Sequence, residues 1–176
     1  MSPLPSRDSI NRFFVLSGLW VTLHVSVFTT QQAYSTLAVA LWTLATTVSY
    51  AFLYLLPALL PGYLLYGFLA RRAASRGGVV ALAILLIGLT GMVQVLLFAD
   101  RVIYSMYGFH INGFVLDLVF TPGGIASLGA SRSTELTATL VVIALLALQA
   151  ATYYWATRRT AGRRPRRWMP RARWLL

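Results

Sequence analysis

Four long apolar runs, separated by short polar segments, dominate the chain. A bilayer crossing needs roughly 20 apolar residues, and on this basis we place spans at about residues 13–30, 44–70, 79–99 and 136–156. The second apolar run already begins at Leu37 and contains Pro57 and Pro61, so either it starts as an interfacial helix or the span tilts and bends. The pattern predicts an all-α fold, a polytopic transmembrane bundle of four spans.

The composition supports a membrane protein and leaves no room for a water-soluble domain. Hydrophobic residues make up 58% of the 176 residues and charged residues 11%, and the mean hydropathy is +0.70, whereas soluble domains carry about 25% charged residues. The chain has no cysteine, which excludes disulfides and thiolate metal sites. Residues 1–12 are then an amino-terminal segment, residues 13–157 the membrane domain and residues 158–176 a tail.

The distribution of arginine predicts the orientation. All fifteen basic residues are arginine, and under a four-span topology only Arg101 and Arg132 lie on one side of the membrane. Because short loops rich in basic residues are retained in the cytoplasm, we expect both termini and the loop around Arg76 to be cytoplasmic. The loop of residues 100–134 is then external.

The tail RRTAGRRPRRWMPRARW combines arginine with tryptophan. Nucleic acid is one candidate partner for such a segment, but attachment to a membrane helix favours anionic lipid headgroups, which attract each nearby basic residue by about 1 kcal/mol. We therefore expect lipid rather than nucleic acid to bind the tail. The arginines assigned to this role are Arg158, Arg159, Arg163, Arg164, Arg166 and Arg167.

Catalytic and cofactor motifs are absent from the sequence. The chain has no lysine and therefore no Walker-type phosphate loop, no G-x-S-x-G elbow, and only two histidines and four acids. We expect no catalytic site, no metal and no cofactor. His24 lies within the first span and has two interpretations. It is either a functional ionisable residue inside the membrane or a neutral structural residue whose ring is hydrogen-bonded to Thr90, Gln94 or Gln149.

The external loop begins with a segment unlike the spans, YGFHINGFVLDLVFTPGG from Tyr107 to Gly124. Gly108 can end a third helix that continues past the bilayer, and Asn112 can cap a short helix from Gly113 to about Phe120. This predicts an outer-face interfacial helix that rests on the bundle or at the acyl boundary, followed by a turn at Thr-Pro-Gly-Gly. Its apolar stripe comprises Phe114, Val115, Leu118 and Val119.

The order of the motifs in this region resembles a known family. Asp100-Arg-x-x-Tyr104, then Phe109-His-x-Asn112, then an apolar helix and Thr121-Pro-Gly-Gly124 are similar to the amino-terminal membrane domain of YejM/PbgA-like inner-membrane sulfatase-like proteins of the alkaline-phosphatase superfamily. The likeness covers most of the chain. It implies a five-helix membrane domain of Gram-negative bacteria, followed by a periplasmic sulfatase-like domain and associated with lipopolysaccharide and outer-membrane lipid homeostasis.

This chain departs from the family pattern because the fifth span and the hydrolase-like domain are missing. We expect a fragment, a split gene product or a stand-alone remnant, and the resemblance transfers no catalytic residue. The residues assigned to shaping the outer face or contacting lipid are Arg101, Tyr104, Phe109, His110, Asn112, Thr121, Pro122, Gly123 and Gly124. In the more specific version of this role, Arg101 and His110 bind a lipid phosphate.

Two functional hypotheses remain. The favoured one is a non-catalytic inner-membrane module that anchors, regulates or senses lipid, with anionic phospholipid or lipopolysaccharide as candidate ligands. Its candidate protein partners are a membrane protein or a separately encoded sulfatase-like domain. The alternative is a small oligomeric transporter or channel subunit, in which His24 and the proline-containing second span would line a path.

Overall fold

Long helices form each predicted span. The computed structural model describes residues 4–29, 36–72, 74–122 and 132–158. Within these ranges the chain is helical without strands, and the helices are α1 (Arg7–Thr29), α2 (Leu37–Arg71), α3 (Arg76–Tyr107), α4 (Gly113–Phe120) and α5 (Arg132–Arg158). Four of them, α1, α2, α3 and α5, are long and apolar enough to cross a membrane. The predicted all-α bundle with four spans is therefore confirmed.

The helices extend beyond the predicted spans. The first helix begins at Arg7 rather than at residue 13, the second at Leu37 rather than at residue 44, and the last at Arg132 rather than at residue 136. Hydropathy detects only the part of a helix that is apolar, whereas backbone hydrogen bonding continues into polar sequence. The second helix runs without interruption through Pro57 and Pro61, and its 35 residues exceed the length that one bilayer core requires.

Side-chain caps fix the helix ends. Ser6, Thr36, Ser75 and Asn112 each accept a hydrogen bond from the backbone N–H three residues later, which satisfies one of the free donors of the first turn. At the end of α3, Gly108 adopts a left-handed conformation with φ 74°, and its N–H donates to the Tyr104 carbonyl. The predicted stop at Gly108 and start at Asn112 are both confirmed.

The bundle has a central pair of helices with one helix on either side. α1 and α3 pack against each other, and α2 and α5 each pack against both. One apolar cluster joins the start of α1, the end of α2, the start of α3 and the end of α5, through Ile10, Phe13, Leu69, Leu82 and Ala156 among others. These ends therefore lie together, and we call this side of the bundle the basic end because Arg7, Arg12, Arg71, Arg72, Arg76 and Arg158 are found there.

Arginine side chains at the basic end lie over aromatic rings. The Arg72 guanidinium is 4.4 Å from the centroid of Phe68, and that of Arg158 is 4.1 Å from the centroid of Tyr154. Both pairs are on the outer surface of their helices, where a long cationic side chain can reach the headgroup layer while its aliphatic part stays on apolar surface. This arrangement suits a boundary between hydrocarbon and water.

Glycine allows the helices to approach closely inside the bundle. A β-carbon added at Gly62 of α2 would lie 2.7 Å from Leu86 Cδ2 and 3.1 Å from Phe14 Cζ, which are both buried side chains. Gly91 of α3 faces Leu146 of α5, where the same atom would lie 2.6 Å from Leu146 Cδ2. Helix association in membranes relies on close packing of this kind, so these two positions bring each of the four spans into close contact with at least one neighbour.

Candidate functional site

The side of the bundle opposite the basic end is organised around Asp100. We call it the distal end, comprising the last turns of α1 and α3 and the chain from Gly108 to Pro122. Asp100 Oδ2 lies 2.8 Å from His110 Nδ1, and Asp100 Oδ1 accepts a 2.6 Å hydrogen bond from the backbone N–H of Ile111. One carboxylate thus uses both oxygens to hold the returning chain against the end of α3.

Three aromatic rings connect the ends of α1 and α3. The His110 ring stacks on Tyr104 with centroids 4.6 Å apart and an interplanar angle of 22°. Phe28 of α1 contacts both rings, at 5.4 Å from His110 and 6.1 Å from Tyr104. Such ring pairs contribute about 0.5–1.5 kcal/mol each beyond the area they bury. We call Phe28, Tyr104 and His110 the aromatic cluster.

A recess opens beside the aromatic cluster. Its volume is about 400 Å³, and it is lined by Val27, Phe28, Arg101, Tyr104 and Ser105. Arg101 is exposed, and its guanidinium pairs with no carboxylate among the described residues. The neighbouring acid, Asp100, is already engaged by His110 and Ile111. The recess is therefore lined by a cation, two residues with hydroxyl groups and aromatic side chains, at the end of a transmembrane helix.

The structure brings together only some of the predicted site residues. Arg101 and Tyr104 line the recess, whereas His110 does not line it and stacks on the Tyr104 ring. Phe109 instead stacks on Tyr107, at a centroid distance of 5.7 Å. Asn112 serves as the cap of α4 through its side-chain oxygen, 3.2 Å from the Val115 nitrogen.

The predicted turn after α4 is described only in its first half. Thr121 is the C-cap residue of α4, its N–H donating to the Asp117 carbonyl at 2.9 Å, and Pro122 is exposed. Gly123 and Gly124 lie outside the described residues.

Only one of the tail arginines assigned to lipid is described, Arg158, which ends α5 at the basic end. The others lie outside the described residues: Arg159, Arg163, Arg164, Arg166 and Arg167.

The short helix α4 does not rest on the bundle. No other described helix packs against it, and Phe114 and Phe120 are 63% and 82% exposed. Val115 and Leu118 are half-buried, and the side chain of Val119 is not among those that the structure describes. The apolar stripe was expected to rest either on the bundle or at the acyl boundary. The first of these predictions is wrong for the described residues. The acyl boundary remains as the expected one, because apolar side chains exposed at this level need a non-aqueous environment.

Two residues of the distal end were not assigned to the site by the sequence. Asp100 entered the sequence analysis only as the first residue of the Asp-Arg-x-x-Tyr motif, and Phe28 had no assigned role. Ten residues separate Asp100 from His110, and Phe28 comes from another helix. The available signals were an acid directly after a span and an aromatic residue at the end of one, and neither pattern identifies a partner.

A second polar site lies inside the bundle. Ser17 of α1 donates to Gln149 Oε1 of α5 at 2.9 Å, and the Thr90 hydroxyl of α3 lies 3.2 Å from the same oxygen. The expected hydrogen bond from His24 to Thr90, Gln94 or Gln149 is wrong for the described residues, because Thr90 and Gln149 belong to this other network and the Gln94 amide has no partner among them. His24 is half-buried and takes no part in it. The described residues hold no cluster of three His, Cys, Asp or Glu side chains that could bind a metal.

The fold and the two polar sites define the class of the protein. It is a multi-pass helical membrane protein, with a cationic recess at one end of the bundle and an uncharged polar network inside it. The model of a family described as a domain of unknown function, DUF3413, matches residues 10–174, and the chain belongs to that family. No curated protein and no solved structure matches the chain.

Proposed function

We propose that the protein is a non-catalytic membrane module that binds the headgroup of an anionic lipid at its distal end. The observation that carries this proposal is Arg101, an exposed cation in a recess of about 400 Å³ that has no carboxylate partner among the described residues. Guanidinium groups form paired hydrogen bonds with phosphate oxygens. A phosphate in the recess would therefore supply the missing counter-charge.

The surroundings of Arg101 suit a lipid better than a free anion. Tyr104 and Phe28 form an aromatic wall of the recess, and aromatic side chains favour the interfacial layer in which glycerol and headgroups lie. The exposed apolar side chains of α4 can occupy the same layer. The ligand would then be held by its phosphate at Arg101 and by its less polar part along the rings.

His110 has a supporting role in this proposal. Its Nδ1 atom is engaged by Asp100, which leaves Nε2 for another contact. The side chain is 58% exposed, so Nε2 is accessible to a second oxygen of the same headgroup. Asp100 orients the ring for this contact, and the stacking on Tyr104 holds it in place.

The resemblance to YejM/PbgA-like proteins gives this module a cellular setting. We place it in the inner membrane of a Gram-negative bacterium, with both termini cytoplasmic and the distal end facing the periplasm. The lipid would then come from the outer leaflet, as an anionic phospholipid or lipopolysaccharide. The module would report lipid state to a membrane-protein partner or to a separately encoded sulfatase-like domain.

The alternative, a small transporter or channel subunit, is less well supported by the interior of the bundle. The polar side chains of Ser17, Thr90, Gln94 and Gln149 are all fully buried. A path for solutes would have to connect such groups to water on both sides of the membrane. Enclosed polar groups of this kind favour a structural network, which is compatible with the lipid-binding module.

Lipid retention by a single-arginine variant tests the proposal. The protein would be extracted in mild detergent, and co-purified phospholipids measured by mass spectrometry for the wild type, Arg101→Gln and the control Arg76→Gln. Loss of one basic contact near a membrane surface is worth about 1 kcal/mol, which corresponds to about fivefold less anionic lipid bound to Arg101→Gln. Zwitterionic lipid and thermal stability should not change, because Arg101 is exposed and forms no ion pair within the described chain.

The control separates a site from general charge. Arg76 is exposed at the basic end, and its replacement removes the same charge from the other side of the bundle. Equal retention of anionic lipid by the wild type and Arg101→Gln would refute the distal site. An equal loss in Arg101→Gln and Arg76→Gln would show that net charge alone retains the lipid.

A further inference from the structure

The polar network inside the bundle contains groups that find no hydrogen-bond partner in the described part of the chain. Gln94 is fully buried, and neither its Nε2 nor its Oε1 has a hydrogen-bond partner among the described residues. Gln149 is also fully buried, and its Nε2 lacks a partner in the same part of the chain. Lipid offers no hydrogen bonds, so an unpaired amide inside a transmembrane bundle has a high free-energy cost.

Reversing the Gln149 amide does not remove the problem. As placed, Oε1 faces the hydroxyl groups of Ser17 and Thr90. The single proton of Thr90 also has a closer acceptor, the Leu86 carbonyl at 2.7 Å. With the amide reversed, its two N–H groups would donate to the two hydroxyl oxygens and Oε1 would be unpaired. In either orientation one end of Gln149 and both ends of Gln94 need a partner.

Thr90 relates the positions of the two glutamines on α3 and α5. Thr90 contacts Gln149 directly, and Gln94 lies one helical turn further along the same buried face of α3. One turn advances a helix by about 5.4 Å. A water molecule bridges two polar groups through hydrogen bonds of about 2.8 Å on each side.

The unsatisfied groups also indicate the chemical class of the ligand. The Nε2 groups of Gln94 and Gln149 are hydrogen-bond donors, and Gln94 Oε1 is an acceptor. No member of the network is charged. A cation would find no carboxylate here and an anion no guanidinium. A small neutral molecule that donates and accepts is required, and buried water in proteins typically makes about three such bonds.

We infer that the bundle binds an internal water molecule between Gln94 and Gln149. The water joins α3 to α5, and through the hydrogen bond from Ser17 to Gln149 the network also includes α1. Three spans are then held by polar contacts at one level of the membrane. This site is independent of the lipid proposal, since Arg101 and the recess play no part in it.

A double-mutant cycle with Gln94→Met and Gln149→Met tests the inference. Methionine is close to glutamine in size and shape but cannot hydrogen-bond the water. If each single change breaks the same water bridge, Gln94→Met should lower the thermal midpoint of unfolding by about 1–3 °C. The double variant should lose less than the sum of the two single losses. Thr46→Val, which removes a hydroxyl bonded only within its own helix, serves as the control and should not couple to Gln94→Met.

Three results would overturn the water site. If Gln94 is merely unpaired, Gln94→Met removes a costly group, and the midpoint should rise. If the losses from the two single variants add fully, the glutamines share no ligand. A density map of the wild-type protein in lipid nanodiscs decides the matter even if the variants fail to fold. We expect a water peak within hydrogen-bond distance of both amides, and an apolar or protein group at that position would exclude it.

Discussion

Replacing Asp100 by alanine should release the chain between Gly108 and Asn112 from the end of α3. The change removes the acceptor of the Ile111 N–H at 2.6 Å and the partner of His110 at 2.8 Å. With the carboxylate gone, only ring contacts hold the His110 side chain in the aromatic cluster. The segment should open locally while the bundle below it remains folded.

The two contacts differ in strength. A hydrogen bond to a charged group contributes about 1.5–3 kcal/mol, and the bond from Ile111 is of this kind, with an Asp100 side chain that is only 17% exposed. The His110 side chain is 58% exposed, and water screens its pairing, so that contribution is about 0–1 kcal/mol. A total of about 2 kcal/mol corresponds to about a thirtyfold increase in local opening.

Amide hydrogen exchange at Ile111, measured in lipid nanodiscs, reports this opening directly. We expect Ile111 to exchange about thirtyfold faster in Asp100→Ala, while amides in the middle of α3 keep their wild-type rates. The matched control is Asp117→Ala, which removes the same charge from an exposed position on the nearby helix α4. The reasoning is refuted if Ile111 exchanges at the wild-type rate in Asp100→Ala, or if Asp117→Ala accelerates it equally.

Three further predictions concern the bundle, its topology and the tail. Gly62→Ala should destabilise the protein by about 1–3 kcal/mol, because the new methyl group would overlap buried side chains. The control Gly67→Ala should not destabilise it, because a methyl group there meets open space. Equal thermal midpoints of unfolding for the two variants would contradict this packing. Reporter fusions at Arg76 and Gly123 should report the cytoplasm and the periplasm respectively, and a cytoplasmic signal at Gly123 would exclude the four-span topology. A peptide of residues 158–174 should bind anionic vesicles and be released by salt; equal binding to neutral vesicles would mean that charge is not the cause.

Local interactions made part of the distal end predictable. Gly108 ends α3 in a left-handed conformation and Asn112 caps α4, and both features were expected from residue type and position alone. Such signals depend on atoms within one helical turn, so the sequence contains all the information they need. The four spans were predictable for a similar reason, because the energy of placing a residue in lipid depends mainly on its own side chain.

The first and last residues of the helices were harder to predict from the sequence. α1 begins at Arg7 and α2 at Leu37, both before the predicted spans. Hydrophobicity records where the chain enters hydrocarbon, whereas a helix continues as long as its backbone bonds and caps allow. Ser6 and Thr36, which supply those caps, are ordinary polar residues until the start of each helix is known.

Only the tertiary structure decided which distant residues meet. The sequence marked His24 as the buried polar residue of α1 that needs a partner, yet it is Ser17 that bonds Gln149, 132 positions away. His110 pairs with Asp100 and packs on Phe28, a residue with no distinguishing sequence signal. The physical reason is that composition and periodicity determine which residues lie within the membrane, whereas helix rotation and close approach determine which side chains touch. The rotation of each helix and its distance from its neighbours depend on all the packed helices together. The sequence of a single segment therefore does not determine them.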